Sequence, residues 1–102
     1  MIDQMFAELP AAFRRDVFTA RTTFYFSVDE TKKTVVVGPE GCTVAEGKTV
    51  EEADCVCKTS ADFLARIWEQ GYRPGPMDFM SGKIKSNAPQ LLQDFLRAFG
   101  KA

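Results

Sequence analysis

The chain has 102 residues, 45% apolar and 26% charged, with a formal net charge of −1. That length and balance describe one folded domain, residues 1–102, with a single core, and they exclude wholesale disorder. A charge so near zero also excludes a general nucleic-acid binder, which needs a basic footprint to displace counterions.

The N-terminal "MIDQMFAELP" is acidic and broken by Pro10, unlike a secretory signal with its basic start and apolar run. Asp3 is placed to cap a first helix in which Ile2, Met5, Phe6 and Leu9 share one side. Two continuations fit the next residues. Either Pro10 opens a second helical turn that brings Phe13 and Val17 to the core, or residues 3–16 form one kinked helix.

From Thr22 the period changes to two. In "TTFYFSVDE", Phe24, Phe26 and Val28 share one face, with Thr23, Tyr25 and Ser27 on the other. The charged "DETKK" reads as a turn into the β-branched "TVVVGP", and Pro39-Glu40-Gly41 as a tight turn into "CTVAEG". These three segments predict an antiparallel meander. "ADCVCKT" predicts a fourth strand with Ala53, Cys55 and Cys57 on one face.

Helical spacing returns after Thr59-Ser60, both good caps, with Phe63, Leu64, Ile67 and Trp68 as the stripe and Gly71 as the exit. Pro76 is placed to open one turn carrying Met77 and Met80. "GKIKS" predicts a fifth strand with Ile84 inward and two lysines outward. Asn87 is expected to cap a last helix whose stripe is Leu91, Leu92, Phe95, Leu96 and Phe99, closed by Gly100. The expected fold is α+β, a five-stranded, mostly antiparallel sheet covered by amphipathic helices. No apolar run approaches the roughly 20 residues of a membrane span. The C-terminal "FGKA" is neither a peroxisomal tripeptide nor a prenylation signal, so a cytoplasmic location is expected.

The chemistry-bearing residues are sparse. There is no histidine, which removes the commonest general base and neutral metal ligand. Three cysteines, Cys42, Cys55 and Cys57, fall one short of a four-ligand zinc site, and acidic Glu52 and Asp54 are the wrong neighbours for an activated thiol. They read as small buried hydrophobes. Ser81-Gly82-Lys83 fails as a phosphate loop, because Met77 stands where the first glycine belongs and Ile84 where the hydroxyl belongs. The acidic pairs Asp29-Glu30 and Glu51-Glu52 lie in expected turns as solvated charges. No catalytic residue, metal ligand or cofactor emerges.

The apolar inventory is more informative, with nine phenylalanines, four methionines and one tryptophan concentrated in the helices and the Pro74–Pro76 connector. Met77, Phe79 and Met80 cannot all turn inward from one helical turn, so at least one meets a neighbour, a ligand or solvent. Charge is also uneven: residues 1–57 hold 10 acids and 6 bases, residues 58–102 hold 4 and 7, which places a basic surface in the C-terminal half.

Four motifs stand in a distinctive order: Ala53-Asp54-Cys55, the helix from Ser60 to Gly71, "DFMSGKIK" from Asp78 to Lys85, and the helix from Pro89 to Phe99. "FYFSV" followed by "KTVVV" precedes them. Together they resemble the sterol-transfer domain of the sterol carrier protein type 2 family over most of the chain. The resemblance implies a five-stranded sheet under helices with an apolar tunnel between them, and a lipid carrier that is not itself an enzyme. Lacking the peroxisomal signal, the chain resembles a free-standing, bacterial-type member, and some such relatives are accessory factors of quinone synthesis.

The expected guest is a hydrophobic lipid: fatty acyl, phospholipid, sterol-like or polyprenyl. Its expected contacts are Phe13, Val17, Phe24, Phe26, Val28, Phe63, Ile67, Met77, Met80, Ile84, Leu92, Phe95, Leu96 and Phe99. Lys83 and Lys85 would either meet an anionic head group or a membrane surface, or guard the sheet edge. The rival expectation is a filled module whose exposed Met and Phe patch docks a lipid-processing enzyme.

Overall fold

In the computed structural model, which describes residues 2–14 and 16–101, the elements follow in the order α1 (Ile2–Ala12), β1 (Thr22–Val28), β2 (Thr31–Gly38), β3 (Gly41–Glu46), β4 (Cys55–Thr59), α2 (Ala61–Gln70), α3 (Pro76–Met80), β5 (Ile84–Ser86) and α4 (Pro89–Ala98). The five strands form one sheet in the order β3-β2-β1-β4-β5. The meander is as expected, since β1–β2 and β2–β3 are antiparallel hairpins, and β4–β5 is antiparallel as well. β1 and β4 pair in parallel, Phe24 opposite Cys55 and Phe26 opposite Cys57. A parallel pair needs a crossover; here the β2–β3 hairpin intervenes, and residues 47–54 carry the chain from β3, at one edge, back past β2 and β1 to β4. Thr34 anchors that crossover: its hydroxyl donates to the Gly47 carbonyl at 2.6 Å and accepts from the Thr49 amide at 3.1 Å.

Alternation decides which sheet face is covered. Phe24, Phe26 and Val28 point to the helices together with Val35 and Val37 of β2 and Cys55 and Cys57 of β4, all essentially buried. The register puts Lys33 opposite Phe26, on that same apolar face. It is buried, and its ammonium is held between the exposed carboxylates of Asp3 (3.1 Å) on α1 and Glu46 on β3. The hydrogen bond to Glu46 raises its pKa above the usual lysine value, against the opposing effect of burial. Lys33 was expected in the Asp29–Lys33 turn. The turn is shorter, and β2 begins at Thr31.

Pro10 lies inside one helix, α1, and no second helical turn starts there. It stands in the last turn of this short helix, where its missing N–H removes a single intrahelical bond and the helix ends two residues later. The longer kinked helix is not seen, because α1 ends at Ala12; Arg15, which that alternative spanned, lies outside the described residues. Asp3 sits in the first turn of α1, where a carboxylate favours the positive helix end. α2 begins and ends as its residues direct: the Ser60 hydroxyl accepts from the Phe63 amide at 3.0 Å, and Gly71 leaves with φ +71°. α4 departs from expectation at its start. Its N-cap is Ala88, whereas Asn87 uses its side-chain oxygen to accept from the Val56 amide at 2.7 Å, bracing β4. Among the described residues, no helix is long and apolar enough to cross a membrane.

Candidate functional site: the aromatic slab and its margins

The covered sheet face carries an unbroken slab of rings. Phe95 of α4 sits 4.8 Å from Phe24, 5.0 Å from Phe26 and 4.7 Å from Phe99, centroid to centroid. Phe6 of α1 meets Phe26 edge-on at 5.4 Å, and Trp68 of α2 closes on Phe99 at 5.5 Å. Rings at these separations and tilts are in direct contact. Aromatic side chains therefore fill the space between sheet and helices.

The expected binding residues divide into two groups. Phe24, Phe26, Val28, Phe63, Ile67, Ile84, Leu92, Phe95, Leu96 and Phe99 are brought together in the buried core, with Phe13 and Val17 half-buried against it. Met77 and Met80 stand apart, 72% and 79% exposed. Of the three side chains that cannot all turn inward, these two meet solvent, because α3 is oriented by a different residue. Asp78, between them, is 6% exposed, and its carboxylate accepts from the Tyr72 hydroxyl at 2.6 Å and the Gly75 amide at 2.9 Å. Those bonds, the tyrosine's foremost, hold its pKa below the usual carboxylate range, and Tyr72 is raised in turn. A five-residue helix that turns its aspartate inward must turn flanking residues outward. Phe79 packs half-buried against the core.

Openings lie at the margins. A seam of about 110 Å³ separates α1 from α2, lined by Ile2, Met5, Ala61, Asp62, Ala65, Trp68 and Glu69. It is well below the roughly 300–1,000 Å³ of a typical ligand pocket. A groove of about 500 Å³ lies where β4 runs into α2, between Lys58, Arg66, Lys83 and Lys85 with Phe63 among its walls. A third, about 900 Å³, lies outside the β2–β3 turn against Pro10 and Arg21 and includes none of the expected binding residues.

The cysteines make no joint site. Cys42 lies on β3, separated from Cys55 and Cys57 on β4 by two strands. Burial pushes the Cys42 thiol up to about 11 and the Cys57 thiol up to about 12, so both stay protonated near neutrality. Sequence reasoning missed the bracing side chains Asp29, Asp54 and Asn87. The Asp29 carboxylate accepts from the Ala61 amide at 2.8 Å, and that of Asp54 from the Thr23 amide at 2.9 Å.

No family model and no curated protein matches the chain. Solved structures do. The sec-alkylsulfatase Pisa1 from Pseudomonas sp. superimposes with TM-score 0.77 at 16% identity, over 98% of this chain and 16% of that one. The UbiJ-SCP2 ubiquinone synthesis protein gives 0.70 at 16% identity, over 94% and 85% of the two chains. Sterol Carrier Protein 2 from Yarrowia lipolytica, in its apo form, gives 0.61 at 15% identity, over 93% and 89%. The chain thus has the sterol carrier protein 2 fold, which in these structures is nearly a whole small chain or a minor part of a large enzyme.

Proposed function

We propose that this chain binds a hydrophobic lipid and transfers or presents it, without catalysing a reaction itself. The guest is fatty acyl, phospholipid, sterol-like or polyprenyl. The carrying observation is the aromatic slab lying between one sheet face and separate helices, in a fold whose solved examples include a sterol carrier protein. α1 packs against β2 and β3, and α4 against β4. A guest enters by widening the α1–α2 seam and displacing rings, so that Phe24, Phe26 and Val28 become one wall and Phe63, Ile67, Phe95 and Phe99 the other. Phe13, Val17, Ile84, Leu92 and Leu96 extend those walls, and Met77 and Met80 form an apolar rim. The displaced ring contacts return when the guest leaves, which favours release to a partner or membrane over permanent retention.

The test is organic extraction of protein purified from cells, followed by mass spectrometry, with displacement of a fluorescent fatty acid. A stoichiometric lipid and saturable displacement are expected. Empty extracts together with no saturable displacement overturn the proposal.

A second reading draws on the exposure of Met77 and Met80 and the filled interior. In it, the methionine pair docks a lipid- or quinone-processing enzyme. A stable complex that buries both methionines, formed by protein that takes up no lipid, would favour that reading.

A further inference from the structure

The groove at the β4–α2 junction has a charge pattern that stability alone does not explain. Lys58 and Lys85 are directly opposed across the β4–β5 ladder, and Lys83, just before β5, lines the same groove. Like charges directly opposite one another destabilise a strand pair. Arg66 of α2 adds a fourth cation to the same groove, and Asp62 is the one acid on its wall. Among the described residues, none of the four cations forms an ion pair with a carboxylate. Edge protection accounts for lysines on β5, the outermost strand. It does not account for Lys58, because β4 is an interior strand, nor for an arginine on a helix.

The groove is also more than a charged surface. Its volume of about 500 Å³ suits a small guest, and the buried ring of Phe63 forms part of the wall. Arg66 is held in place by stacking 4.6 Å over the Tyr72 ring. The Lys83 carbonyl, by contrast, is occupied by the Thr59 hydroxyl at 2.9 Å, so the groove offers mainly donors. Several cationic donors converging beside one apolar wall match an oxyanion that carries an apolar tail.

We infer that this groove binds an oxyanion of phosphate, sulfate or carboxylate type through Lys58, Lys83, Lys85 and Arg66. Its natural source is the head group of an anionic amphiphile whose tail passes over Phe63 toward the core. The head-group assignment rests on the lipid-binding function proposed above; the oxyanion site does not. Strong salt dependence follows, because the cations are solvent-facing and screened within a Debye length.

The experiment titrates the intact protein with three probes: inorganic phosphate, dodecyl phosphate and the uncharged glycerol monolaurate. Calorimetry and lysine side-chain NMR shifts read the binding. The K58Q/K85Q variant is compared at equal thermal stability, with K32Q as a control lysine outside the groove. Dodecyl phosphate is expected to bind at least tenfold more weakly to K58Q/K85Q and unchanged to K32Q, while glycerol monolaurate binds both alike. Preference for dodecyl phosphate over inorganic phosphate assigns the site to a head group. Equal, lysine-dependent binding of the two phosphates assigns it to a free anion and removes the tail. Phosphate binding that ignores Lys58 and Lys85, or absence of binding by both phosphates, overturns the site. Failure of glycerol monolaurate alone counts against the lipid-binding function and leaves the oxyanion site standing.

Discussion

Two regions of the molecule draw on the same stock of aromatic and methionine side chains and use it in opposite ways. Under β1, rings from α1 and α4 close on Phe24 and Phe26, which are buried from solvent. At the β5 edge of the sheet, α3 exposes Met77 and Met80, and the exposed Lys83 and Lys85 follow in the chain. The difference comes from what orients each element. A strand of seven residues or a helix of ten has enough apolar positions for periodicity to fix its inward face. A single turn does not, and in α3 one carboxylate with two hydrogen bonds sets the orientation.

The largest expected effect tests the slab. Phe95→Ala removes a ring that touches Phe24, Phe26 and Phe99, and should cost about 3–5 kcal/mol. Urea unfolding with an unchanged m-value would measure it. A loss below about 1 kcal/mol would mean that the slab already yields as a guest-accommodating space, and would collapse the contrast between the two regions.

Next in size is the polar anchor of α3. Asp78 has a depressed pKa in the folded chain, so the stability it contributes is fully present above the ordinary carboxylate range. That stability is lost as pH falls through the lower folded value. Tyr72 is raised, so its share holds below the ordinary tyrosine range and fades as pH climbs through the folded value. Asp78→Asn should therefore lower the thermal midpoint near neutrality, and its difference from wild type should shrink on acidification below the usual carboxylate range. A pH-independent difference would show that Asp78 fills space and does not anchor by charge.

Much of this contrast can be read from the residues, and its limits have physical causes. "FYFSV" alternates cleanly, so its buried face is legible, and Ser60 and Gly71 mark α2 because caps act through bonds only a few residues away. Asn87, by contrast, serves β4 across 31 residues, and Asp54 reaches Thr23 across the same separation. Local pattern carries no record of such long-range acceptors. The parallel β1–β4 pair is equally silent, since two strands of like composition pair in either sense. Lys33 did leave a trace, for it alternates with Val35 and Val37, but the charges around it masked the period. For the proposed binding residues, burial is legible and function is not, because a core phenylalanine and a tunnel-lining phenylalanine carry the same pattern.

A smaller effect belongs to the cap that launches α2. Ser60→Ala removes the acceptor for the Phe63 amide and should cost about 1 kcal/mol. In a domain of this size that corresponds to roughly 4–8 °C in Tm. Asp29 also accepts from the first amide of α2, so the loss should approach the lower end of that range. Combining Ser60→Ala with Asp29→Ala should exceed the sum of the single changes, since each acceptor partly covers for the other at the same helix end.

The smallest expected change in stability sharpens the comparison most. Met77→Ser with Met80→Ser alters two large side chains, yet both stand mainly in water. The folded state should shift by no more than about 0.5 kcal/mol, where the same chemistry applied within the slab would cost several. Circular dichroism should show an unchanged fold, because Asp78 still holds Tyr72 and Gly75. The consequence should appear in transfer instead, as slower delivery of a fluorescent fatty acid to acceptor vesicles with its equilibrium affinity nearly intact. That separation follows if the methionines form a rim that guests cross and the slab forms the walls that hold them. A marked fall in Tm would place the methionines in the core after all. Unchanged stability with unchanged transfer would leave their exposure to a docking partner.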